Sequence, residues 1–214
     1  MTKPKEKTLT AIWQQVPADY YDQGMQNNFL QFIWHRQKWT FFRKLMEGVK
    51  FKLILDVGCA SGTFTNRLTE LFPQAKIYGV DAYSSAIKFA QKKYPHLNFL
   101  KADAHQLPFK QNSFDLVICY ETIEHVVDPL QVLRQMHRIL KKDGLAILAM
   151  DSGNLMFRTI WWFWGKTKGR VWEGAHLHPF HHDHLEEIVQ KSGFKIQQKK
   201  FSHFGMEVVF VLKK

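Results

Sequence analysis

The feature that most constrains this chain is an apolar run that passes directly into a loop of small residues. Residues 53–57 have the composition of a buried strand. The loop that follows contains Gly58, Ala60, Ser61 and Gly62. Small residues let the backbone turn sharply and approach a ligand closely. A helix that begins at such a loop directs its first N–H groups toward that ligand. The run therefore predicts a strand, a ligand-binding loop and a helix.

A second apolar run, residues 77–80, ends in Asp81. An acid at the end of the second strand of such a unit is placed to accept hydrogen bonds from a ribose diol. The loop is not the dinucleotide-binding pattern G-x-G-x-x-G, because Ala60 stands where glycine is usual. Together the loop and the acid predict a nucleoside-binding α/β half-domain.

The central hundred residues alternate between strand and helix patterns, which is typical of a parallel sheet with helices on both faces. We predict strands near 52–57, 76–81, 97–101, 114–119 and 145–150, and helices near 62–72, 84–93 and 129–141. Residues 141–144 end in glycine, which predicts a glycine stop for the third of these helices.

The flanking segments predict helices and a hairpin. Apolar residues at helical spacing predict one N-terminal helix from about Gln26 to Met46, with Phe29, Phe32, Ile33 and Leu45 on its repeat and Gly48 as its stop. Asp183 and Glu186 look like a capping box for the last helix. Two strands around a turn at 203–205 predict a closing hairpin.

The ordered motifs resemble those of class I S-adenosylmethionine-dependent methyltransferases, and more closely the small-molecule subgroup called type 11. They are Asp56-x-Gly58-x-Ala60-x-Gly62, Asp81, Ala102-Asp103-Ala104 and residues 114–118. The resemblance is specific over 51–150 and weaker at both ends. It implies a Rossmann-like, doubly wound α/β fold with a seven-stranded sheet, mostly parallel, and a C-terminal antiparallel hairpin. It also implies S-adenosyl-L-methionine as the cofactor.

By this resemblance, Asp81 binds the ribose and Asp103 reaches the adenine amino group. A tyrosine near the start of the N-terminal helix touches the methionine moiety, and Tyr20 and Tyr21 are the candidates. The full predicted cofactor set is Asp56, Gly58, Cys59, Ala60, Gly62, Asp81, Ala82, Asp103, Ala104, Tyr120 and Tyr21. Alternatives stay open for three of them: Asp103 as a helix cap, Tyr21 as core packing and Tyr120 as a rim aromatic.

We expect a single domain over 1–214, with an N-terminal helical cap (1–50), a cofactor-binding core (51–150), a substrate-side insertion (151–182) and a last helix with closing hairpin (183–214). Residues 155–164 are strongly aromatic, and a basic turn follows up to residue 170. Tryptophans beside basic residues suit the interface of an acidic membrane. The alternative is an aromatic lid that packs on the core.

The expected function is methyl transfer to a small molecule that is apolar, lipid-like or phenolic. The alternatives are an RNA or protein methyltransferase and a non-catalytic protein that binds S-adenosylmethionine. A formal charge of +11 favours anionic partners, but the basic residues are spread evenly, so we expect no nucleic-acid partner. The oligomeric state is not predicted.

A histidine from the run at 176–184 is the predicted catalytic base, and His176 and His178 are the two candidates. An imidazole titrates near neutral pH, as deprotonation of an acceptor hydroxyl requires. Loop histidines that bond only to backbone are the alternative, and a zinc site is a third reading.

Glu121, Glu124 and His125 form an acid–x–x–acid–His run that resembles one proposed to hold a divalent ion in some ubiquinone-pathway methyltransferases. Type 11 enzymes also carry this run without a metal. We assign no metal ligand, and the sequence leaves that alternative open.

Two cysteines and no apolar N-terminal signal lead us to expect reduced thiols in a cytoplasmic protein that can contact the inner face of a membrane.

Overall fold

A computed structural model describes residues 16–165 and 181–214. The described helices are α1 (Tyr20–Asn27), α2 (Phe29–Leu45), α3 (Thr63–Leu71), α4 (Ser84–Lys93), α5 (Pro129–Ile139), α6 (Leu155–Gly165) and α7 (His182–Lys191). The strands are β1 (Leu53–Val57), β2 (Lys76–Asp81), β3 (Asn98–Lys101), β4 (Phe114–Tyr120), β5 (Leu140–Asp151), β6 (Lys195–Ser202) and β7 (Glu207–Lys213).

The seven strands form one sheet in the order β3-β2-β1-β4-β5-β7-β6. The first five strands pair in parallel, and β7 runs antiparallel between β5 and β6. The chain order reverses between β1 and β4, so a crevice opens beyond the carboxyl ends of these two strands. The predicted fold class and the closing antiparallel hairpin are confirmed.

Buried side chains cover both faces of the sheet because successive residues of a strand point to opposite sides. Leu55 and Val57 of β1 pack in the cluster that includes α5 and α7. Ile54, which directly precedes Leu55, packs on the other side, in the cluster that includes Trp39 and Phe42 of α2. The sheet is therefore covered by helices on both faces, as the alternating pattern predicted.

The prediction of one N-terminal helix from Gln26 to Met46 is wrong, because Asn28 separates two helices, α1 and α2. Asn28 has an extended backbone, with φ −136° and ψ 107°. Its side-chain oxygen accepts the N–H groups of Leu30 and Gln31, at 3.1 and 3.4 Å. Asparagine is a favoured N-cap, so it starts a new helix here.

The predicted buried face of this helix is also only partly correct. Phe29 and Phe32 are 74% and 43% exposed, whereas Trp39, Phe42 and Met46 form the buried part. The apolar repeat is helical, but its N-terminal half faces away from the core. Gly48 follows the helix with φ +76°, consistent with the predicted stop.

The predicted glycine stop at 141–144 is wrong. The helix ends at Ile139, and β5 begins at once at Leu140. The pairing with β4 shifts register between Phe114 and Leu116, which accommodates the extra residues of β5. Gly144 lies in this irregularity, where an added Cβ would be 3.0 Å from the carbonyl oxygen of Asp115.

The predicted capping box of the last helix is also wrong. The N-cap is His181, with no capping side chain, and Asp183 lies within the first turn. Asp183 and Glu186 both pair instead with Lys199 of β6, at 3.0 and 2.7 Å. The two acids thus join the helix to the edge strand.

Helix α6 follows β5 and presents apolar side chains to solvent. Asn154 caps it, since its side-chain oxygen accepts the N–H of Phe157 at 2.7 Å. The exposed large side chains of this helix are Leu155, Met156, Ile160, Trp162 and Phe163. None of the described helices is both long enough and apolar enough to cross a bilayer.

Candidate functional site

The loop after β1 turns through three left-handed backbone positions. Gly58, Ala60 and Gly62 have φ values of +79°, +46° and +77°. A Cβ on Gly62 would be 2.6 Å from the Phe99 ring, so glycine is needed for packing as well as for the turn. The N–H groups of Gly58 and Cys59 both donate to Val80, at 2.8 and 3.0 Å. These bonds hold the loop against the end of β2.

Asp81 fixes the same loop with its carboxylate. One oxygen accepts the N–H of Ala60 at 2.9 Å, and the other accepts the N–H of Tyr83 at 2.8 Å. Burial raises the pKa of Asp81, although these backbone bonds oppose the shift. Each carboxylate oxygen has a further lone pair, and Asp81 lines the crevice.

The crevice holds a cavity of about 270 Å³, which we call the crevice cavity. Much of its wall consists of small residues, which leave room for a flat ring system. They are Gly58, Ala60, Ala82, Ala86, Ala102 and Ala104. Asp81 and Asp103 add carboxylates to this wall. A crevice cavity with two acids suits an adenosine, because the ribose hydroxyls and the adenine amino group are hydrogen-bond donors.

Asp103 lies both at the cap of a short helix and in the wall of the crevice cavity. Its Oδ1 accepts the N–H of His105 at 2.9 Å, which caps a short 3₁₀ turn at Ala104–Gln106. The same oxygen lies 2.6 Å from the His105 ring. The side chain is nevertheless exposed and faces the crevice cavity. The cap therefore orients a carboxylate that can also meet a ligand.

A smaller cavity of about 90 Å³ adjoins the crevice cavity and shares Gly58, Ala60, Tyr21 and Glu121 with it. Its wall includes the predicted residues Asp56, Cys59 and Tyr120, and the cations Lys38 and Arg67. Burial raises the pKa of Asp56 to about 6, against the hydrogen bond it accepts from Thr65 at 2.6 Å. Gly62 lines neither cavity.

A third cavity, of about 360 Å³, opens on the other side of Tyr21 and is called the outer cavity below. Its wall is largely apolar and comes from α1, α2, α6 and the turn before β7. It includes Leu30, Ile33, Trp34, Phe157, Ile160, Phe204 and Met206. Its polar side chains include Glu121, Glu124, His125 and Asp151. Tyr21, Glu121 and His125 line both this cavity and the crevice cavity.

Glu121 lies at the junction between the crevice cavity and the outer cavity, and both of its carboxylate oxygens have partners. It follows β4 with a left-handed φ of +50° and donates its N–H to Ala149. Its carboxylate accepts the Trp34 ring N–H at 2.8 Å and pairs with Lys38. Burial opposes ionisation, but the Lys38 charge and these bonds outweigh it and hold the pKa of Glu121 at about 2. The pair ties α2 to the end of β4.

Glu124 and Asp151 differ from Glu121, because among the described residues no lysine or arginine forms a salt bridge with either carboxylate. Glu124 is 3% exposed, and its Oε2 has no hydrogen-bond partner. Burial raises its pKa to about 8, and repulsion from Glu121 adds to the shift. Burial raises the pKa of Asp151 to about 7, and repulsion from Glu124 adds to it. For both acids burial thus favours the protonated form.

A buried network of polar side chains centred on Glu207 lies next to this junction. Glu207 accepts bonds from Tyr120 at 3.1 Å and from Ser202, and it lies 3.2 Å from the His203 ring. The other ring nitrogen of His203 is 2.9 Å from the Trp34 carbonyl, and the two rings stack. Burial opposes a charged His203, but Glu207 outweighs it and raises the pKa of the imidazole. Tyr120 is thus a buried hydroxyl donor rather than a rim aromatic.

Ten of the eleven predicted cofactor residues line the crevice cavity or the smaller one, and Gly62 shapes the turn. His176 and His178 lie outside the described residues, so the predicted base stays a prediction. Within the described ranges the one group of three metal-type ligand atoms within 4.8 Å of one another is His181, His182 and Asp183. The atoms of the Glu121–Glu124–His125 run do not converge in this way. Both cysteines are free and buried.

Sequence reasoning did not single out three residues that line these cavities. They are Lys38 and Trp34 on α2 and Asp151 at the end of β5, and none of them belongs to a recognised motif. The signal for Lys38 was its place on the buried side of α2, beside Trp39 and Phe42.

Comparison with known proteins shows which proteins this chain is similar to. Residues 55–148 match the family model Methyltransf_11, described as a methyltransferase domain. A demethylmenaquinone methyltransferase of Geobacillus stearothermophilus is 27% identical, and the alignment covers 96% of each chain. The enzyme of the same name from Lactococcus lactis is 28% identical over 91% of this chain and 84% of its own.

Solved structures show the same fold. A Thermotoga maritima protein described as an S-adenosylmethionine-dependent methyltransferase, possible histamine N-methyltransferase, superposes with a TM-score of 0.71 at 23% identity, over 96% of this chain and 99% of its own. The magnesium protoporphyrin IX methyltransferase of Synechocystis with bound SAH gives 0.73 at 17% identity, over 97% and 100%.

Proposed function

We propose that this chain, which is a class I S-adenosylmethionine-dependent methyltransferase, methylates a small apolar acceptor with a hydroxylated ring. The observation that carries the proposal is the outer cavity, whose largely apolar wall meets the crevice cavity at Tyr21, Glu121 and His125. The relatives named demethylmenaquinone methyltransferases support a ring acceptor.

The described residues fit S-adenosylmethionine. The wall of small residues would take the adenine, and Asp81 would accept the ribose hydroxyls. The smaller cavity, with Arg67 and Lys38 in its wall, would take the methionine end and its carboxylate. When bound, this cofactor supplies an electrophilic methyl group on a sulfonium, which leaves as a neutral thioether.

The chain itself would then position the acceptor. Its ring would lie among Ile33, Trp34 and Phe157, and its reacting atom would point at the junction with the crevice cavity. Holding the two reactants in contact and in line is the main source of catalysis for such a displacement. Burial keeps Tyr21 protonated by raising its pKa well above the usual range, so its hydroxyl stays a donor at this junction.

We further propose that the acceptor enters from an acidic membrane surface. Leu30, Ile160 and Phe204 line the outer cavity and are also 66%, 52% and 83% exposed, so its mouth is apolar. Trp162 and Phe163 of α6 are 55% and 62% exposed. Exposed aromatic side chains on a chain of charge +11 suit the interface of an anionic bilayer.

A labelled methyl-transfer screen tests the acceptor class. Wild-type protein is incubated with methyl-labelled S-adenosylmethionine and, in parallel, with membrane lipid extract, phenolic compounds, total RNA and a protein mixture. We expect label in ring compounds that partition into the organic phase. Label confined to RNA or protein would contradict the proposal, and cofactor binding without transfer to any fraction would indicate a binding protein.

Vesicle sedimentation tests the membrane contact. The double variant Trp162→Ser/Phe163→Ser should bind less to vesicles containing phosphatidylglycerol, while its affinity for S-adenosylmethionine stays unchanged. Leu100→Ser is the matched control, because Leu100 is 40% exposed on β3 at the opposite edge of the sheet. Equal vesicle binding by all three proteins would refute the contact at α6.

A further inference from the structure

Two carboxyl groups that no motif predicted as a pair line the outer cavity. Glu124 lies in a short 3₁₀ turn after β4, and Asp151 is the last residue of β5. Oε2 of Glu124 is a buried polar atom without a partner, in a side chain only 3% exposed. A buried polar atom left unpaired is costly, and native structures keep such atoms mainly where they serve a ligand or a reaction.

The surroundings separate these acids from the other charges nearby. Lys38 forms an ion pair with Glu121. Glu207 is bonded to Tyr120 and Ser202, behind the junction. The other ionisable side chains that line the outer cavity are Tyr20, Tyr21, His35, Glu121 and His125. Burial and the Lys38 charge lower the pKa of His35 to about 4, so that ring is neutral near pH 7.

Asp151 is held in place by a local bond. Its Oδ1 accepts the N–H of Gly153 at 3.2 Å. Ser152, next to it, is fully buried and bonded to the Gly205 carbonyl at 2.6 Å. The carboxylate therefore lines the cavity from a position fixed by hydrogen bonds, between the end of β5 and the start of α6.

Building on the function proposed above, we propose that Asp151 and Glu124 act as an acid pair on the acceptor, with Asp151 as the proton acceptor and Glu124 as a neutral hydrogen-bond donor. The pair would select ring acceptors that offer one hydroxyl group to Asp151 and one oxygen lone pair to Glu124. A hydroquinone or another ring with two oxygens has this chemistry.

The proton step balances without any co-reactant. The acceptor O–H bond breaks, its electron pair remains on the acceptor and raises its nucleophilicity, and the proton moves to a carboxylate oxygen of Asp151. The proton then leaves to solvent after the product departs. The two acids repel each other only when both are ionised, so a proton that stays on Glu124 lets Asp151 ionise without a second negative charge beside it.

The first test is single-turnover methyl transfer to 1,4-dihydroxynaphthalene as a function of pH. Wild-type rates should fall on the acidic side with an apparent pKa near 7, the value to which burial raises the pKa of Asp151. Asp151→Asn should lose about 100-fold or more in rate, the scale of general base catalysis. Glu124→Gln should leave the acidic limb near its wild-type position, because glutamine is neutral like the protonated Glu124.

Binding of S-adenosylmethionine and melting temperature are measured for each variant, with Asp143→Asn, at an exposed position, as the control. An Asp151→Asn enzyme with wild-type rate and an unmoved acidic limb would overturn the proposal. The same limb lost instead in His176→Gln or His178→Gln would assign the base to the histidine run.

A second test needs no acceptor and separates failure of the pair from failure of the proposed function. Carbon-13 NMR of labelled aspartate and glutamate side chains should show two carboxyl titrations near neutral pH. One should vanish in Asp151→Asn and the other in Glu124→Gln. If both carboxyls titrate near their ordinary values, the pair does not exist. If the pair titrates as expected but no ring compound is methylated, the proposed acceptor class is wrong.

Discussion

Replacement of Glu124 by glutamine should change how the stability of the protein depends on pH. In the folded state the Glu124 carboxyl is buried and its Oε2 has no hydrogen-bond partner, and burial raises its pKa from 4.5 to about 8. In the unfolded chain it ionises at its ordinary value. Between these two values the unfolded state binds fewer protons, so the free energy of unfolding falls as the pH rises.

The magnitude follows from this interval. Each pH unit between the two pKa values lowers the free energy of unfolding by about 1.4 kcal/mol. From about pH 5 to about pH 8 the loss is about 4 kcal/mol. A glutamine side chain does not titrate, so this loss is absent from the variant. The stability of Glu124→Gln relative to wild type should therefore increase by that amount across the interval.

Urea unfolding at several pH values from 5 to 8 measures this difference. Glu47→Gln provides the control, because it makes the same chemical change at an exposed position. Curves of unfolding free energy against pH that run parallel for wild type and Glu124→Gln would refute the reasoning. They would mean that water or another group already satisfies this carboxylate in the folded state.

Three further changes test other parts of the site. Asp81→Ala should weaken S-adenosylmethionine binding by about 1.5–3 kcal/mol in calorimetry, the scale for a lost charge-assisted hydrogen bond. Gly62→Ala should destabilise the protein by about 1–3 kcal/mol, because its φ is +77° and the new Cβ would be 2.6 Å from Phe99. Lys38→Met should lower stability by about 3–5 kcal/mol, since it leaves Glu121 buried without its cation.

Matched variants give each of these results a reference. Gly48→Ala has the same left-handed backbone as Gly62→Ala, with φ +76°, but nothing lies within 4 Å of the new Cβ. Its smaller cost isolates backbone strain from the Phe99 contact. Lys44→Met removes a charge from the exposed side of α2. Equal losses in Lys38→Met and Lys44→Met would refute the buried ion pair, and unchanged affinity in Asp81→Ala would remove Asp81 from the cofactor site.

The central fold and the crevice could be predicted because their signals are local in the sequence. The strand, the small-residue loop and Asp81 lie within thirty residues, roughly one strand–helix–strand unit, and each has a physical reason for its residue type. Parallel strands place such loops at one edge of the sheet, so motifs far apart in sequence meet in one cavity.

The errors arose where tertiary packing or a local cap outweighed a pattern. Asn28 is a strong N-cap inside an otherwise continuous helical repeat, and its preference breaks the helix. The apolar residues Phe29 and Phe32 fit that repeat but are exposed to solvent. Gly144 follows a helix in sequence, yet the strand pairing of β5 already includes Leu140.

The acid pair could not be predicted because its properties depend on burial. Glu124 was considered only within a metal-binding run, and Asp151 belonged to no motif. Burial raises the pKa values of both acids. Side chains of α1, α2 and α6 line the same cavity, and these helices are distant from one another in sequence. Sequence alone shows which residues can ionise but does not show which of them lose water on folding.

The most direct measurement of the central account is methyl transfer from labelled S-adenosylmethionine to 1,4-dihydroxynaphthalene by wild type and by Ile33→Trp. Ile33 lines the outer cavity but not the crevice cavity, so a larger ring there should block the acceptor alone. The account predicts labelled ring product with wild type, and its loss in Ile33→Trp with cofactor affinity unchanged. Undiminished transfer by Ile33→Trp would show that the acceptor does not enter the outer cavity, and it would contradict the account.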